Sequence, residues 1–386
     1  MSTAYIVDAI RTPMGRRNGD LSRIRPDELA AVPLRALVER TGIDPHEIED
    51  VVMGCVTQVG EQGLNIGRTA PLIAGFPKEV TGTSVNRMCG SSQQAVNFAA
   101  MGVLSGAHDV MIGAGVESMS RIDMGSDMFY KGEMKLPSDQ LTWRYTFVQQ
   151  GTSAELVAQK FGIGREALDR FAVESHRRAA AAEDAGKFAA EITAVETVGP
   201  EGEAITVTQD GGIRRGTSYE KVSSLKPAFQ EDGVITAATS SQISDGAAAL
   251  LVVSEEAVKR LGLTPRAKIV SMAVAGVDPT IMLTGPMPAT RKALAKAGMG
   301  VGDIDLFEVN EAFASVVLAW SRVMEVGLDT VNIYGGACAL GHPLGASGAR
   351  LLTTLLNALE TEDKQIGLST MCIGFGQGIA TIIERV

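Results

Sequence analysis

Apolar runs of strand length alternate with helix-patterned runs at both ends of this chain, and the alternation lapses between them. Residues 4–10, 51–56 and 109–116 read as strands; the last (DVMIGAGV) is apolar almost throughout, as in a strand buried on both faces of a sheet. Residues 26–40 and 65–74 carry apolar side chains at helical spacing. Asp27 and Glu28 suit the first turn of one, and Gly75 and Pro77 stop the other. The last third resumes the pattern, with strands at 267–276, 304–309, 331–334, 365–372 and 379–385. Its helices lie at 289–297, from Asn310-Glu311-Ala312-Phe313 to about 323, and at 347–359. Such a chain is an α/β protein, and 386 residues suffice for a large core and more than one domain.

The two ends echo each other. In each, a strand runs through a special loop into a helix, and a buried strand follows; Cys89 occupies that loop in the first half and His342 in the second. Two such halves packed together would bring both loops to one centre near the ends of the sheets, where α/β sites form. The middle, 119–238, mixes glycines, charges and aromatics without alternation and reads as an insertion or lid. It holds helices at 153–161 and 165–186, the second alanine-rich and capped by Gly186. An excursion over 124–145 leaves Pro137, Trp143 and Tyr145 exposed or packed on a neighbour.

A net charge of −10 argues against nonspecific nucleic-acid binding, while leaving room for one anionic ligand on a local basic patch. The cysteines, at 55, 89, 338 and 372, form no C-x-x-C pair. The chain enters a strand at Tyr5 with no secretory segment, so they read as reduced thiols of a cytoplasmic protein. No apolar run approaches membrane-spanning length. The 43 glycines, most of them beside apolar strands, read as sites of close backbone packing.

Ser84-Val85-Asn86-Arg87-Met88-Cys89-Gly90-Ser91-Ser92 begins extended and breaks at Gly90 before a helix over 93–104. A thiol at such a junction faces free N–H groups and the positive end of the helix dipole, which lowers its pKa. Of the four histidines, His46, His108 and His176 lie in charged or helical surface contexts. His342 sits in Gly341-His342-Pro343-Leu344-Gly345-Ala346-Ser347-Gly348, where glycines and a proline fix the backbone. Cys372 ends a strand before Ile373-Gly374-Phe375-Gly376, and Asn310-Glu311 follows another strand of the same half. A nucleophilic thiol, an imidazole to take its proton and a second thiol as acid and base make a workable set, with glycine loops offering N–H groups to an oxyanion. Buried structural cysteines and a Cys/His metal site are the alternatives. The metal reading is the poorest, because no two candidate ligands share the short spacing of zinc sites.

The chain resembles the thiolase family over nearly its whole length. The resemblance rests on Val7-Asp8-Ala9-Ile10-Arg11-Thr12-Pro13, the Cys89 stretch, Ile243-Ser244-Asp245-Gly246-Ala247-Ala248-Ala249, Asn310-Glu311-Ala312-Phe313, Gly335-Gly336-Ala337 with the His342 loop, and the run from Cys372 to Gly378. It implies a five-layer αβαβα fold of two similar halves. The first would be 1–118 plus about 239–262, with a CoA-binding loop domain at 119–238 inserted, and the second 263–386. It further implies that Cys89 attacks the keto carbonyl of a 3-ketoacyl-CoA and holds the acyl group as a thioester. His342 would deprotonate Cys89, and Asn310 would position a water in a first oxyanion hole. Cys372 would protonate the departing acetyl-CoA carbanion and then deprotonate CoA. The backbone N–H groups of Cys89 and Gly374 would form a second oxyanion hole. Coenzyme A would be a co-substrate with no permanently bound cofactor or metal, Arg214 (then Arg215) and Ser241 would contact it, and the chain would form a homodimer or homotetramer.

The chain departs from the family pattern at Gly90-Ser91-Ser92, at Phe375 where glycine is usual, at Tyr334 where asparagine is common, and at Gln149, which replaces a histidine of the pantetheine tunnel. Gln58, Glu61 and the run from Asn310 to Trp320 resemble degradative members, including those acting on steroid side chains. An acetoacetyl-CoA-specific biosynthetic enzyme, a ketosynthase on the same fold and a non-catalytic acyl-CoA or lipid binder are the rivals. The Cys372 motif argues against the ketosynthase.

Overall fold

The computed structural model describes residues 3–134 and 138–386. Nine long strands carry the fold: β1 (Ala4–Arg11), β2 (Asp50–Gly54), β3 (Thr81–Val85), β4 (Val110–Ser118), β5 (Ser244–Ser254), β6 (Ala267–Gly276), β7 (Leu306–Val309), β8 (Ile366–Ile373) and β9 (Gln377–Arg385). With a short strand at Gly15–Arg16 they make one ten-stranded sheet in the order β7-β8-β9-β6-β1-β5-β4-β2-β3. The helices that cover it are α1 (Pro26–Thr41), α2 (Ile66–Ala74), α3 (Ser91–Leu104), α4 (Gln150–Lys160), α5 (Arg165–Asp184), α6 (Pro286–Ala297), α7 (Ala314–Met324) and α8 (Ser347–Thr361).

The order contains the same motif twice. In the first half β2 lies parallel to both β3 and β4, β4 antiparallel to β5, and β5 antiparallel to β1. In the second, β7 lies parallel to β8, β8 antiparallel to β9, and β9 antiparallel to β6. Even the irregularities repeat: the β1 ladder slips between Ile6 and Asp8, and the β6 ladder between Ile269 and Ser271. Both slips fall at the same place in their strands and bend them alike. β1 and β6 join the halves through only two residue pairs, Tyr5 with Lys268 and Ile6 with Ala267.

Helices α3 and α8 pack against each other between the two halves of the sheet, α1 and α2 cover one outer face, and α6 and α7 the other. This gives five layers, αβαβα. α8 explains the arrangement: it is buried from Ser347 to Leu359, because it has a sheet on either side. β5, whose existence the sequence pattern left unread, is buried along all 11 of its residues and runs through the centre of the first half.

Residues 331–334 do not form the expected strand. Val331 makes a single parallel bridge to Phe307, in the position β3 holds beside β2. Asn332 then turns left-handed (φ 48°), and its side chain takes over the ladder: Val309 N donates to its Oδ1 at 2.8 Å and its Nδ2 donates to Val309 O at 2.8 Å. A side chain that satisfies the strand edge ends the pairing. Between β4 and β5 the chain is not free of strands, since Val195–Val198 pairs with Ala204–Val207 and Phe129–Tyr130 with Glu133–Met134. Trp143 and Tyr145 are exposed; Pro137 lies outside the described residues.

Candidate active site

The two central helices meet at their N-termini, each just after one of the special loops. Ala349 N donates to Ser92 Oγ at 2.9 Å, and a Cβ on Gly348 would stand 2.4 Å from Gln93 N, so only glycine allows the crossing. The halves therefore bring their loops together where the backbones are closest.

The first loop is bent by Asn86. Its Oδ1 accepts from Met88 N at 2.8 Å and its Nδ2 donates to Val56 O at 2.9 Å, which holds Met88 left-handed (φ 45°). The break thus begins before Cys89, earlier than the glycine that marks it in the sequence. Gly90 caps α3, and a Cβ there would stand 2.6 Å from Ile373 Cδ1, so the loop rests against the β8–β9 hairpin. Cys89 is 3% exposed among Val56, Met119 and Leu344, the last from the histidine loop. Burial pushes its thiol up to about 11, against the pull of hydrogen bonds from Gly374 N–H, its own N–H and the Gln150 side chain. The expectation of a thiol acidified by the helix terminus is corrected: removal from water outweighs the dipoles. The thiol needs a base.

That base has a defined tautomer. Ser347 Oγ donates to Pro343 O at 2.8 Å, so its contact with His342 Nδ1 at 2.5 Å must be one in which the imidazole donates. Nε2 then carries the lone pair, and Asn310 Nδ2 lies 3.3 Å from it. Asn310 Oδ1 is buried and has no hydrogen-bond partner among the described residues. Burial, with Arg350 as a second influence in the same direction, pushes His342 down to about 3, so the ring is neutral. Arg350 is itself buried, paired with Glu308 at 3.2 Å.

Cys372, at the end of β8 opposite Gly378, is 1% exposed. Burial raises its thiol well above the ordinary range, and Cys89 raises it further. A Cβ on Gly374 would lie 2.9 Å from Met88 Sδ and 3.2 Å from Gln150 Nε2, so this glycine lets three segments converge.

Two buried carboxylates hold the loops: Glu117, which the sequence pattern did not mark, and Glu311, which it marked only as part of the loop after a strand. Glu117 Oε2 accepts from Val56 N at 2.9 Å and Gly345 N at 2.8 Å; its Oε1 accepts from Thr57 N at 3.1 Å and Gln62 Nε2 at 2.7 Å. Glu311, beside Asn310, accepts from Ser175 Oγ at 2.6 Å, Cys338 N at 3.0 Å and Asn332 Nδ2 at 3.0 Å, which makes it a clamp. Gln149 is exposed, and its neighbour Gln150 is the side chain that reaches Cys89. Gln150 had no sequence signal, and Ser347 none beyond the His342 motif. Tyr334 packs in the core, edge-on to Phe188, and donates to Glu362 Oε1 at 2.6 Å.

Beside this centre runs a groove of about 760 Å³ lined by Arg16, Arg17, Arg214, Phe229, Ser241 and Gln242, among others. Arg214 also lines a smaller adjoining cavity of about 380 Å³ with His176 and Lys221. Arg215 points elsewhere, bonded to Asp184 at 2.7 Å and to Glu183. His176 is not a surface residue: it is 5% exposed and accepts from Arg214 N at 3.1 Å, fixing that backbone. Among the described residues no group of three or more His, Cys, Asp or Glu is placed to hold a metal, and no helix is long and apolar enough to cross a membrane.

A family model for the thiolase N-terminal domain matches residues 4–256, and one for the C-terminal domain residues 263–385. The chain is 48% identical to a 3-ketoacyl-CoA thiolase from Idiomarina loihiensis, over 100% of both chains. It is 46% identical to a steroid 3-ketoacyl-CoA thiolase from Mycobacterium tuberculosis, over 100% of this chain and 95% of that protein. The solved structure of an acetyl-CoA acetyltransferase from Bacillus anthracis superposes with a TM-score of 0.92 at 36% identity, covering 100% of this chain and 99% of that one.

Proposed function

The chain belongs to the thiolase family of acyltransferases, and from that premise we propose that it cleaves 3-ketoacyl-CoA with CoA to acetyl-CoA and a shortened acyl-CoA through a Cys89 thioester. The observation that carries this reading is the meeting of the two loops, with Cys89 buried in one cluster with Leu344 of the histidine loop, and His342 held with its proton on Nδ1 and its Nε2 lone pair toward Asn310.

In the first half-reaction His342 Nε2 takes the Cys89 proton and the sulfur adds to the 3-keto carbon. The C2–C3 bond breaks, and Cys372 gives its proton to the acetyl-CoA carbanion. In the second, the Cys372 thiolate takes the proton of CoA, whose sulfur displaces Cys89 from the thioester, and His342 returns the proton to Cys89. Splitting the cleavage this way replaces one difficult step with two easier ones. Asn310 Oδ1, buried with its acceptor free, holds a water for one oxyanion, and the Cys89 and Gly374 N–H groups serve the other. Arg214 and Ser241 grip CoA, the cation meeting the nucleotide end; the groove they line supports this, as does the lack of an ion pair at Arg214 among the described residues, where Arg215 has two. Residues 119–238 act as the loop domain that carries the CoA contacts, inserted in the first half (1–118 plus about 239–262) before the second (263–386).

The chain pairs with a second copy through the open edge of β3, which among the described residues has a neighbour on one side only; exposed Phe98 and Met101 on the adjoining α3 add apolar surface. Light scattering on a sizing column measures this directly. Four free, buried thiols fit a cytoplasmic enzyme.

Thiolysis by the purified chain tests the activity. CoA is mixed with acetoacetyl-CoA, a medium-chain or a bulky branched 3-ketoacyl-CoA, and loss of the ketoacyl enolate absorbance is followed, with Cys89→Ala alongside. Turnover that vanishes in the variant is expected. A folded wild type that binds CoA and turns over nothing leaves a binding protein instead.

A further inference from the structure

The β8–β9 hairpin turns through Gly374-Phe375-Gly376, and its tip carries a residue that does not suit it. Phe375 has φ 60° and Gly376 φ 81°. Two successive left-handed residues are what Asn-Gly or Gly-Gly supply without strain, whereas the Cβ of a phenylalanine disfavours the conformation. Its side chain is what the position gains. The ring packs on Phe147 with centroids 5.4 Å apart, and Phe147 meets Tyr145 edge-on at 6.5 Å. Thr280 Oγ1 donates to Thr146 O at 2.7 Å and pins that segment in place.

This row is tied to two segments whose polar groups reach the nucleophile. Phe375 directly follows Gly374, whose N–H reaches the Cys89 sulfur, and Phe147 precedes Gln150, whose side chain does the same. Phe375 nevertheless remains 36% exposed and Tyr145 48%, beside a Cys89 that is 3% exposed. An open ring face next to a buried reacting centre is an apolar platform for whatever leads away from the carbonyl.

We propose that Phe375, backed by Phe147 and Tyr145, forms the acyl-tail subsite and selects 3-ketoacyl-CoA substrates with long apolar tails over acetoacetyl-CoA. This rests on the Cys89 thiolysis reading. Each methylene laid on the ring leaves water, so transition-state binding grows with tail length until the ring is covered. The single methyl of acetoacetyl-CoA gains least.

The test compares kcat/KM for a straight ten-carbon 3-ketoacyl-CoA and for acetoacetyl-CoA in wild type, Phe375→Ala, Phe375→Leu and Phe147→Leu. Wild type should favour the ten-carbon substrate, and Phe375→Ala should lower the ratio by about tenfold. Phe375→Leu keeps an apolar surface and Phe147→Leu removes only the backing, so both should fall between, and they carry the test if the alanine variant does not fold. An unchanged ratio in all three, or a ratio that rises on truncation because the ring was an obstacle, overturns the proposal alone. No turnover by wild type overturns the thiolysis reading and this inference with it.

Discussion

Ser347→Ala removes a hydroxyl that touches no substrate, yet it should slow the acyl-transfer chemistry. The hydroxyl accepts from His342 Nδ1 at 2.5 Å and fixes the proton there because it donates to Pro343 O. Without it, a buried N–H loses its acceptor, which costs about 1–3 kcal/mol. The other tautomer then becomes competitive: Asn310 Oδ1, now unpartnered, can accept from a proton on Nε2 once the amide rotates. That tautomer cannot deprotonate Cys89. At about 1.4 kcal/mol per tenfold, kcat should fall roughly 10- to 100-fold. KM for CoA should stay within about twofold, because the groove of Arg214 and Ser241 is untouched. Steady-state thiolysis separates the two, and Ser347→Thr, which keeps the hydroxyl, should recover most of the loss. A kcat within twofold of wild type in Ser347→Ala would refute the assignment of the tautomer to this residue.

Alkylation of Cys89 in the free enzyme should be slow at neutral pH. With the thiol pushed up to about 11, about one molecule in ten thousand holds the thiolate at pH 7. The inactivation rate by iodoacetamide should climb about tenfold per pH unit between pH 7 and 9; a plateau with a midpoint below 8 would reveal a preformed thiolate–imidazolium pair instead. His342, at about 3 when folded and ordinarily at 6.5, binds fewer protons in the native state between those values. Its neutral form therefore contributes stability above pH 6.5 that is lost as pH falls toward 3, and His342→Gln should flatten the acid limb of a melting-temperature profile. Glu117→Ala strands the Val56, Thr57, Gly345 and Gln62 donors and should destabilise by about 4 kcal/mol or more, with Glu117→Gln between it and wild type in a thermal melt. Arg214→Ala should raise KM for CoA by about tenfold, whereas Arg215→Ala, whose charge is already engaged by Asp184, should leave it within about twofold; equal effects would contradict the choice between them.

The alternation that made this an α/β chain was readable because strand and helix periods differ and the two kinds of buried face need different spacing. It failed where a side chain replaced a ladder, as at Asn332, and it overlooked β5, whose short, small-residue run Asp245-Gly246-Ala247-Ala248-Ala249 has no alternation to detect. His176 was misplaced on the surface because its helix looks polar in projection; what buries it is the backbone of Arg214, from a segment 38 residues away.

Local chemistry singled out Cys89, His342 and Cys372, which stand in short motifs whose glycines, proline and strand ends are visible one residue at a time, while the roles of Asn310 and Gly374 came from the resemblance to the thiolase family. Tertiary structure alone decided their state. Whether Cys89 is a thiol or a thiolate depends on the water its neighbours exclude, and those neighbours come from both halves and from the first residue of α4. Which nitrogen of His342 holds the proton depends on the direction in which Ser347 donates. Desolvation and hydrogen-bond direction are properties of an enclosed space, and a linear order of residues carries no record of the space they enclose.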